Sequence, residues 1–227
     1  MRTLPTLLFF LAASTPSFAQ SFNLDVDNFF GTPSNALGAA AAQPGTWNDV
    51  PAALGTTPLV DITGAATGVT ISGVGLGAAF SFDNAGTTGD DQALMDDLSD
   101  PSPSGATWTF SGLAPGNYIL YTYGWAPDNA TFRSTIAVAG SSDGPQNVGG
   151  AWPGGYTLGI THARHHVTVG GAGTIAMTIT VAGGGSFASL NGFQLAPDNT
   201  PVFVQNCVPG TGGVTACPCA NLSLIHI

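Results

Sequence analysis

The chain has 227 residues, 44% of them hydrophobic and only 7% charged, with 32 Gly and 16 Pro. It contains no Lys and no Glu; 13 Asp stand against three Arg, and the net charge of −10 disfavours nucleic-acid backbones and leaves no basic patch for an anionic membrane. The hydrophobic share is too high for a disordered chain, and the shortage of helix formers beside abundant Gly, Thr, Val, Ser and Pro argues for short strands joined by tight turns.

Residues 1–19 read as an export leader. Arg2 supplies the positive start, and residues 4–13 form an apolar run broken only by Pro5 and Thr6. Ser17-Phe18-Ala19 puts small residues at the two positions a signal peptidase reads, so cleavage is expected after Ala19. The run is too short for a bilayer span, which needs about 20 apolar residues. The mature chain is expected to be secreted or held at the cell surface, with one sandwich-sized domain over residues 20–196.

Phe22, Leu24 and Val26 alternate with Asn23, Asp25 and Asp27, the period of a half-buried strand. Residues 38–45 are a small-residue stretch, a loop or one helical turn. Short strands are expected at 46–50, 59–63, 69–72 and 78–82, the last with Phe80 and Phe82 on one face. Residues 89–103 hold the only helical turn expected, around Ala93-Leu94-Met95, closed by Pro101 and Pro103. A strand at 107–111 runs into a Gly/Pro turn at 112–116. Residues 117–125 form a long strand with Tyr118, Leu120 and Thr122 on one side and Ile119, Tyr121, Tyr123 and Trp125 on the other. Phe132, Ile136 and Val138 point inward from the strand at 132–138. Strands at 166–169, 174–181 and 186–195 complete the set, with Ile175, Met177, Ile179 and Val181 alternating with Ala176, Thr178 and Thr180.

Two segments carry a family resemblance. Thr109-Phe110-Ser111-Gly112-Leu113-Ala114-Pro115-Gly116-Asn117-Tyr118 reads as strand, turn, strand, and Ser189-Leu190-Asn191-Gly192-Phe193-Gln194-Leu195 as a closing strand in which an Asn-Gly step precedes an apolar pair. Both resemble galactose-binding-like jelly-roll domains of secreted bacterial proteins, similar to carbohydrate-binding modules. The resemblance implies an all-β, antiparallel β-sandwich. Many members of such families bind carbohydrate and others only mediate contacts, so fold alone does not fix function.

Beyond residue 196 the composition shifts. Residues 197–221 read as a linker and a truncated Cys-containing tail, with Cys207, Cys217 and Cys219. Cys207 with Cys217 would close a short glycine-rich loop as a disulfide, leaving one thiol over. A zinc site is the sharper alternative, but three Cys without a nearby His is a weak pattern for it. Leu222-Ser223-Leu224-Ile225-His226-Ile227 is what one reading frame of a common sequencing-adapter end translates to, so residues 222–227 are read as an artefact.

Catalysis is not expected. No Gly-x-Ser-x-Gly elbow occurs, the absence of Lys removes Schiff-base and Walker-type chemistry, and the Asp residues cluster in one loop. A Ser–His–Asp site stays open, because its parts need not be neighbours in sequence. His162, His165 and His166 read as a polar turn entering a strand. Asp90, Asp91, Asp96 and Asp97 are candidate calcium ligands, since calcium takes six to eight oxygens, although the spacing is not that of an EF-hand. The plain alternative is a solvated acidic loop. Asp25 and Asp27 are a second candidate pair.

The aromatic stripe is the best binding clue. Tyr121, Tyr123 and Trp125 would line one sheet face, with Trp152 and Tyr156 in a glycine-rich loop nearby and Asp128 and Arg133 placed to grip hydroxyls. The alternative is that these rings are core, and solvent exposure separates the two. The leading expectation is an exported, non-catalytic module binding glycans or another surface polymer, with no cofactor beyond structural calcium. A structural or adhesive surface protein without a small ligand and a hydrolase using Asp residues are the competing readings.

Overall fold

The computed structural model describes residues 20–52, 55–75, 77–101, 103–183 and 185–200. The expected leader, the cysteines and the adapter-like end lie outside the described residues. Among the described residues no helix is long and apolar enough to cross a membrane.

In chain order the strands are β1 (Phe22–Val26), β2 (Trp47–Val50), β3 (Gly55–Val60), β4 (Ala66–Val74), β5 (Ala78–Ser81), β6 (Asp97–Asp100), β7 (Ala106–Ser111), β8 (Gly116–Tyr123), β9 (Ser134–Val138), β10 (Gln146–Val148), β11 (His162–Val169), β12 (Thr174–Val181) and β13 (Gly192–Pro197). A 3-10 turn covers Ala39–Ala41, and one short helix, α1, covers Asp90–Met95. Strands β6 and β10 have no counterpart in the sequence reading, because neither shows an apolar alternation of its own. The histidine segment is strand from His162 onward, not a turn leading into one.

Two sheets face each other. One has the order β11-β8-β13-β1-β2, the other β10-β9-β12-β7-β4-β3, and β5 pairs with β6 as a separate two-stranded ribbon. The chain is an all-β sandwich, as the turn-punctuated alternation predicts. One departure from a wholly antiparallel arrangement is β2, which runs parallel to β1, with Asn23 opposite Trp47 and Val26 opposite Val50. A parallel neighbour needs a long crossover. Residues 27–46 supply it, and they fold over the outer face of the first sheet.

Period-two alternation builds the main core between the sheets. Phe22, Leu24 and Val26 of β1, Tyr118 and Leu120 of β8, Ile175, Met177 and Ile179 of β12, and Phe193 and Leu195 of β13 are buried together with Trp108 and Phe110. Each such side chain contributes roughly 1.5–3 kcal/mol on leaving water. The outer face of the second sheet is lined by hydroxyls, among them Thr70 and Ser72 of β4, Thr107 and Thr109 of β7, and Thr178 and Thr180 of β12; none of the six strands carries a charged residue.

The outer face of the first sheet is covered, and a second core lies there. Trp47, Leu94, Met95, Tyr123 and Trp125 are buried in it, with Leu37, Trp152, Tyr156 and Ile160 packed against them. The ribbon is tied to the sandwich through a bridge between Ser99 and Leu190, with hydrogen bonds of 2.9 and 3.0 Å in the two directions.

Candidate functional site

Alternation assigns Tyr121, Tyr123 and Trp125 to one side of the strand, and the structure agrees. What parity does not say is which layer covers that side. Tyr123 is 0% exposed and Trp125 1% exposed, so neither offers a face to a ligand, which corrects the expectation of an open aromatic stripe. The Tyr123 hydroxyl accepts from the Ala40 backbone N–H at 2.8 Å and donates to Gln194 Oε1. Burial raises its pKa far above the usual phenol range. The Trp125 indole N–H donates to the Gly150 carbonyl at 2.8 Å. Tyr121 is half-buried beside His162, ring centroids 5.9 Å apart. Burial, and secondarily Arg164, holds His162 down to about 4, so its ring is neutral at ordinary pH.

The other predicted residues separate likewise. Arg133 is exposed and donates to the Gly149 carbonyl at 3.0 Å. Trp152 is half-buried against Trp125, centroids 5.1 Å apart. Asp128 and Trp152 do meet: with Asn84, Pro127 and Asn129 they line a hollow whose wall includes an edge of Trp125.

Asp128 also borders a second, more apolar groove. Its walls are Phe80 of β5, Leu98 and Asp100 of β6, Phe132 before β9, and Phe187 with Ala188 and Ser189 in the loop before β13. Phe80 and Phe187 are 40% and 44% exposed, and the Phe132 and Phe187 rings stand 4.8 Å apart at 58°. Two exposed rings and the half-buried Phe132, converging with two carboxylates, make an amphipathic platform. The sequence reading missed this groove. It took Phe132 as an inward residue, but Phe132 lies two residues before β9 begins, past the edge of the sandwich, and Phe187 follows a glycine-rich turn with no periodicity. The signal present in the sequence was an aromatic residue in each of three loop-flanking segments.

The four predicted calcium ligands do not converge. Asp90 accepts from the Ser34 backbone N–H at 2.8 Å and its hydroxyl at 2.7 Å. Asp91 accepts from the Tyr156 hydroxyl at 2.8 Å. Asp96 is held by the Thr87 hydroxyl and the Asn84 N–H. Asp97 turns the opposite way, accepting from the Phe30 N–H at 3.0 Å. The physical reason is the backbone: Asp90 and Asp91 open α1, Asp96 caps its end, and Asp97 starts β6, where successive side chains point to opposite faces. Among the described residues no group of three or more His, Cys, Asp or Glu is placed to hold a metal ion.

No family model and no curated protein matches the chain. Among solved structures it is similar to protein YXIM of Bacillus subtilis, at 15% identity and a TM-score of 0.42 over 78% of this chain and 40% of that one. It is similar to a β-glucuronidase of Bacteroides uniformis, at 12% identity and 0.39 over 67% of this chain and 20% of that one. It is also similar to a family 35 carbohydrate binding module from Clostridium thermocellum, at 15% identity and 0.34 over 58% of this chain and 99% of that one.

Proposed function

We propose that the chain is an exported, non-catalytic sandwich module that binds a glycan or another surface polymer in the groove between Phe80, Phe132 and Phe187. The observation that carries this reading is the exposure of Phe80 and Phe187, with the half-buried Phe132 against Phe187, beside Asp100 and Asp128. Flat apolar rings stack against the apolar faces of sugars, and carboxylates accept hydrogen bonds from hydroxyls. The neighbouring hollow with Trp152 shares Asp128 and extends the platform for a longer chain. Export is read from residues 1–19 and belongs to the same proposal. The test is retention of the protein on a panel of insoluble and soluble polysaccharides, with Phe187→Ala and Phe132→Ala beside wild type. A loss of tenfold or more in affinity with little change in Tm supports the reading; no retention on any polymer, or retention unchanged in both variants, overturns it.

A second reading follows from one observation: Asp100 and Asp128 border the same groove. Two carboxylates across a cleft are the minimum for glycoside hydrolysis. Release of reducing ends from a retained polysaccharide, abolished in Asp128→Asn, would move the chain from binder to hydrolase.

A further inference from the structure

The groove is rich in acceptors and poor in donors. Its polar lining side chains are Asp100, Asp128 and Ser189. Asp128 is exposed, and Ser189 is 3% exposed. An ionised carboxylate only accepts hydrogen bonds, so the buried Ser189 hydroxyl is the one side-chain donor among the described lining residues. Neither described arginine lines the groove or the hollow beside it: Arg133 donates to the Gly149 carbonyl, and Arg164 stands on β11 opposite Tyr121. The chain has no Lys, and its net charge is −10.

This lining discriminates among sugars by charge. A neutral sugar presents hydroxyls that both donate and accept, and here their accepting half meets no side-chain donor but a buried one. A uronic acid brings one more carboxylate to two already present and is repelled. An ammonium group has three donors, no acceptor and a positive charge. It gains charge-assisted hydrogen bonds from the two carboxylates and attraction to the faces of the exposed Phe80 and Phe187 rings. A glucosamine unit carries that ammonium on the same rigid ring whose apolar face stacks on a phenyl group. A lysine side chain carries it on a flexible four-carbon stem that must be ordered first, so a fixed pairing of rings and carboxylates favours the sugar.

We propose that the groove selects a polymer of amino sugars with free amines, Asp100 and Asp128 holding the ammonium groups while the phenyl rings take the sugar faces. The proposal rests on the reading of this groove as a glycan site and gives that site its ligand class. Asp128 also borders the hollow that holds Trp152, so consecutive units of one chain reach both recesses.

The experiment is calorimetric titration of the full chain at about pH 5.5, where carboxylates are ionised and amines protonated. The probes are oligomers of glucosamine, N-acetylglucosamine and glucose of equal length, with an oligolysine as a cationic peptide. The glucosamine oligomer binds about tenfold more tightly than its acetylated counterpart, and the advantage shrinks as salt is raised to about 1 M. Asp100→Asn and Asp128→Asn each reduce the advantage, and the double variant abolishes it while leaving the affinity for the acetylated oligomer unchanged. Phe187→Ala weakens both oligomers alike. Asp61→Asn, on the turn between β3 and β4, keeps the full advantage, which separates a local site from attraction by the whole acidic surface. The proposal is overturned if the acetylated or glucose oligomer binds as tightly as the glucosamine oligomer, if the advantage survives in the double variant or disappears in Asp61→Asn, or if the oligolysine binds as tightly as the amino sugar. Binding of the neutral oligomers without preference removes this inference and leaves the glycan reading standing; no binding of any saccharide removes both.

Discussion

The side-chain amide of Asn191 ties the Trp125 backbone to the ribbon strand. Its Oδ1 accepts from the Trp125 N–H at 2.7 Å, while its Nδ2 donates to the carbonyls of Met95 at 2.9 Å and Asp97 at 3.0 Å. Asn191 is fully buried, so all three partners lose their bond together if it is removed. Asn191→Ala is expected to cost about 3 kcal/mol, given about 1–3 kcal/mol for each buried group left unpaired and incomplete additivity. Urea unfolding followed by tryptophan fluorescence checks it, with the midpoint falling and the slope unchanged.

Tyr123→Phe separates a packing role from a binding role. The ring stays, but the Ala40 N–H loses its acceptor and Gln194 Oε1 is left with the Ala41 N–H alone, at 3.0 Å. Stability should drop by about 1–2 kcal/mol. Polysaccharide retention should be unchanged, because the ring has no exposed face. A loss of retention with intact stability would return Tyr123 to the binding surface.

Gly77 is the hinge on which the ribbon enters the groove wall. A Cβ there would fall on the carbonyl oxygen of Asp100, the strand end paired with Ala78. Gly77→Ala is expected to displace the β5–β6 ribbon, at a cost of about 1–3 kcal/mol. Phe80, Leu98 and Asp100 move with it, so polymer affinity should fall more than stability does. Parallel binding and denaturation curves measure the two separately.

The buried acids predict an unusual pH dependence. Burial pushes Asp97 up to about 7 from its ordinary 3.8, with Asp27 and Asp96 adding to the rise and the Phe30 N–H opposing it; Asp25 is raised too, chiefly by burial. Between those limits the folded chain binds more protons than the unfolded one, so this contribution is complete below about pH 4 and is lost as pH rises through 7. His162, lowered from 6.5 to about 4, acts in the opposite direction over the same window: its contribution is present above 6.5 and lost as pH falls. Differences between variants separate the two. Wild type should lose stability relative to Asp97→Asn between pH 4.5 and 7.5, roughly spanning the shift, as followed by urea unfolding across that range.

Much of the sandwich was legible because alternation is a local property. Tyr118 and Leu120, Ile175, Met177 and Ile179, and the Asn191–Gly192 step before Phe193 all stand where a two-residue period puts them. The sites were less so, because they depend on what covers a face. Tyr121, Tyr123 and Trp125 share a side as expected, but the crossover that brings β2 parallel to β1, together with α1, covers that side, and no single strand's pattern announces it. Asp25 reads as an outward acid on a half-buried strand and is buried for the same reason. The groove joins Phe80, Phe132 and Phe187 from segments far apart in sequence, so its existence is a property of the loops' meeting.

The hydroxyl-lined second sheet leaves the molecule electrically lopsided. With none of its six strands charged, every Asp and both Arg among the described residues sit on loops, α1, the ribbon and the other sheet. Copies turning this bare side toward one another meet the least repulsion, and its outer strands β3 and β10 have no lysine to discourage strand addition. Pro58 within β3 and the three-residue length of β10 are the guards that remain against edge-to-edge growth at high concentration.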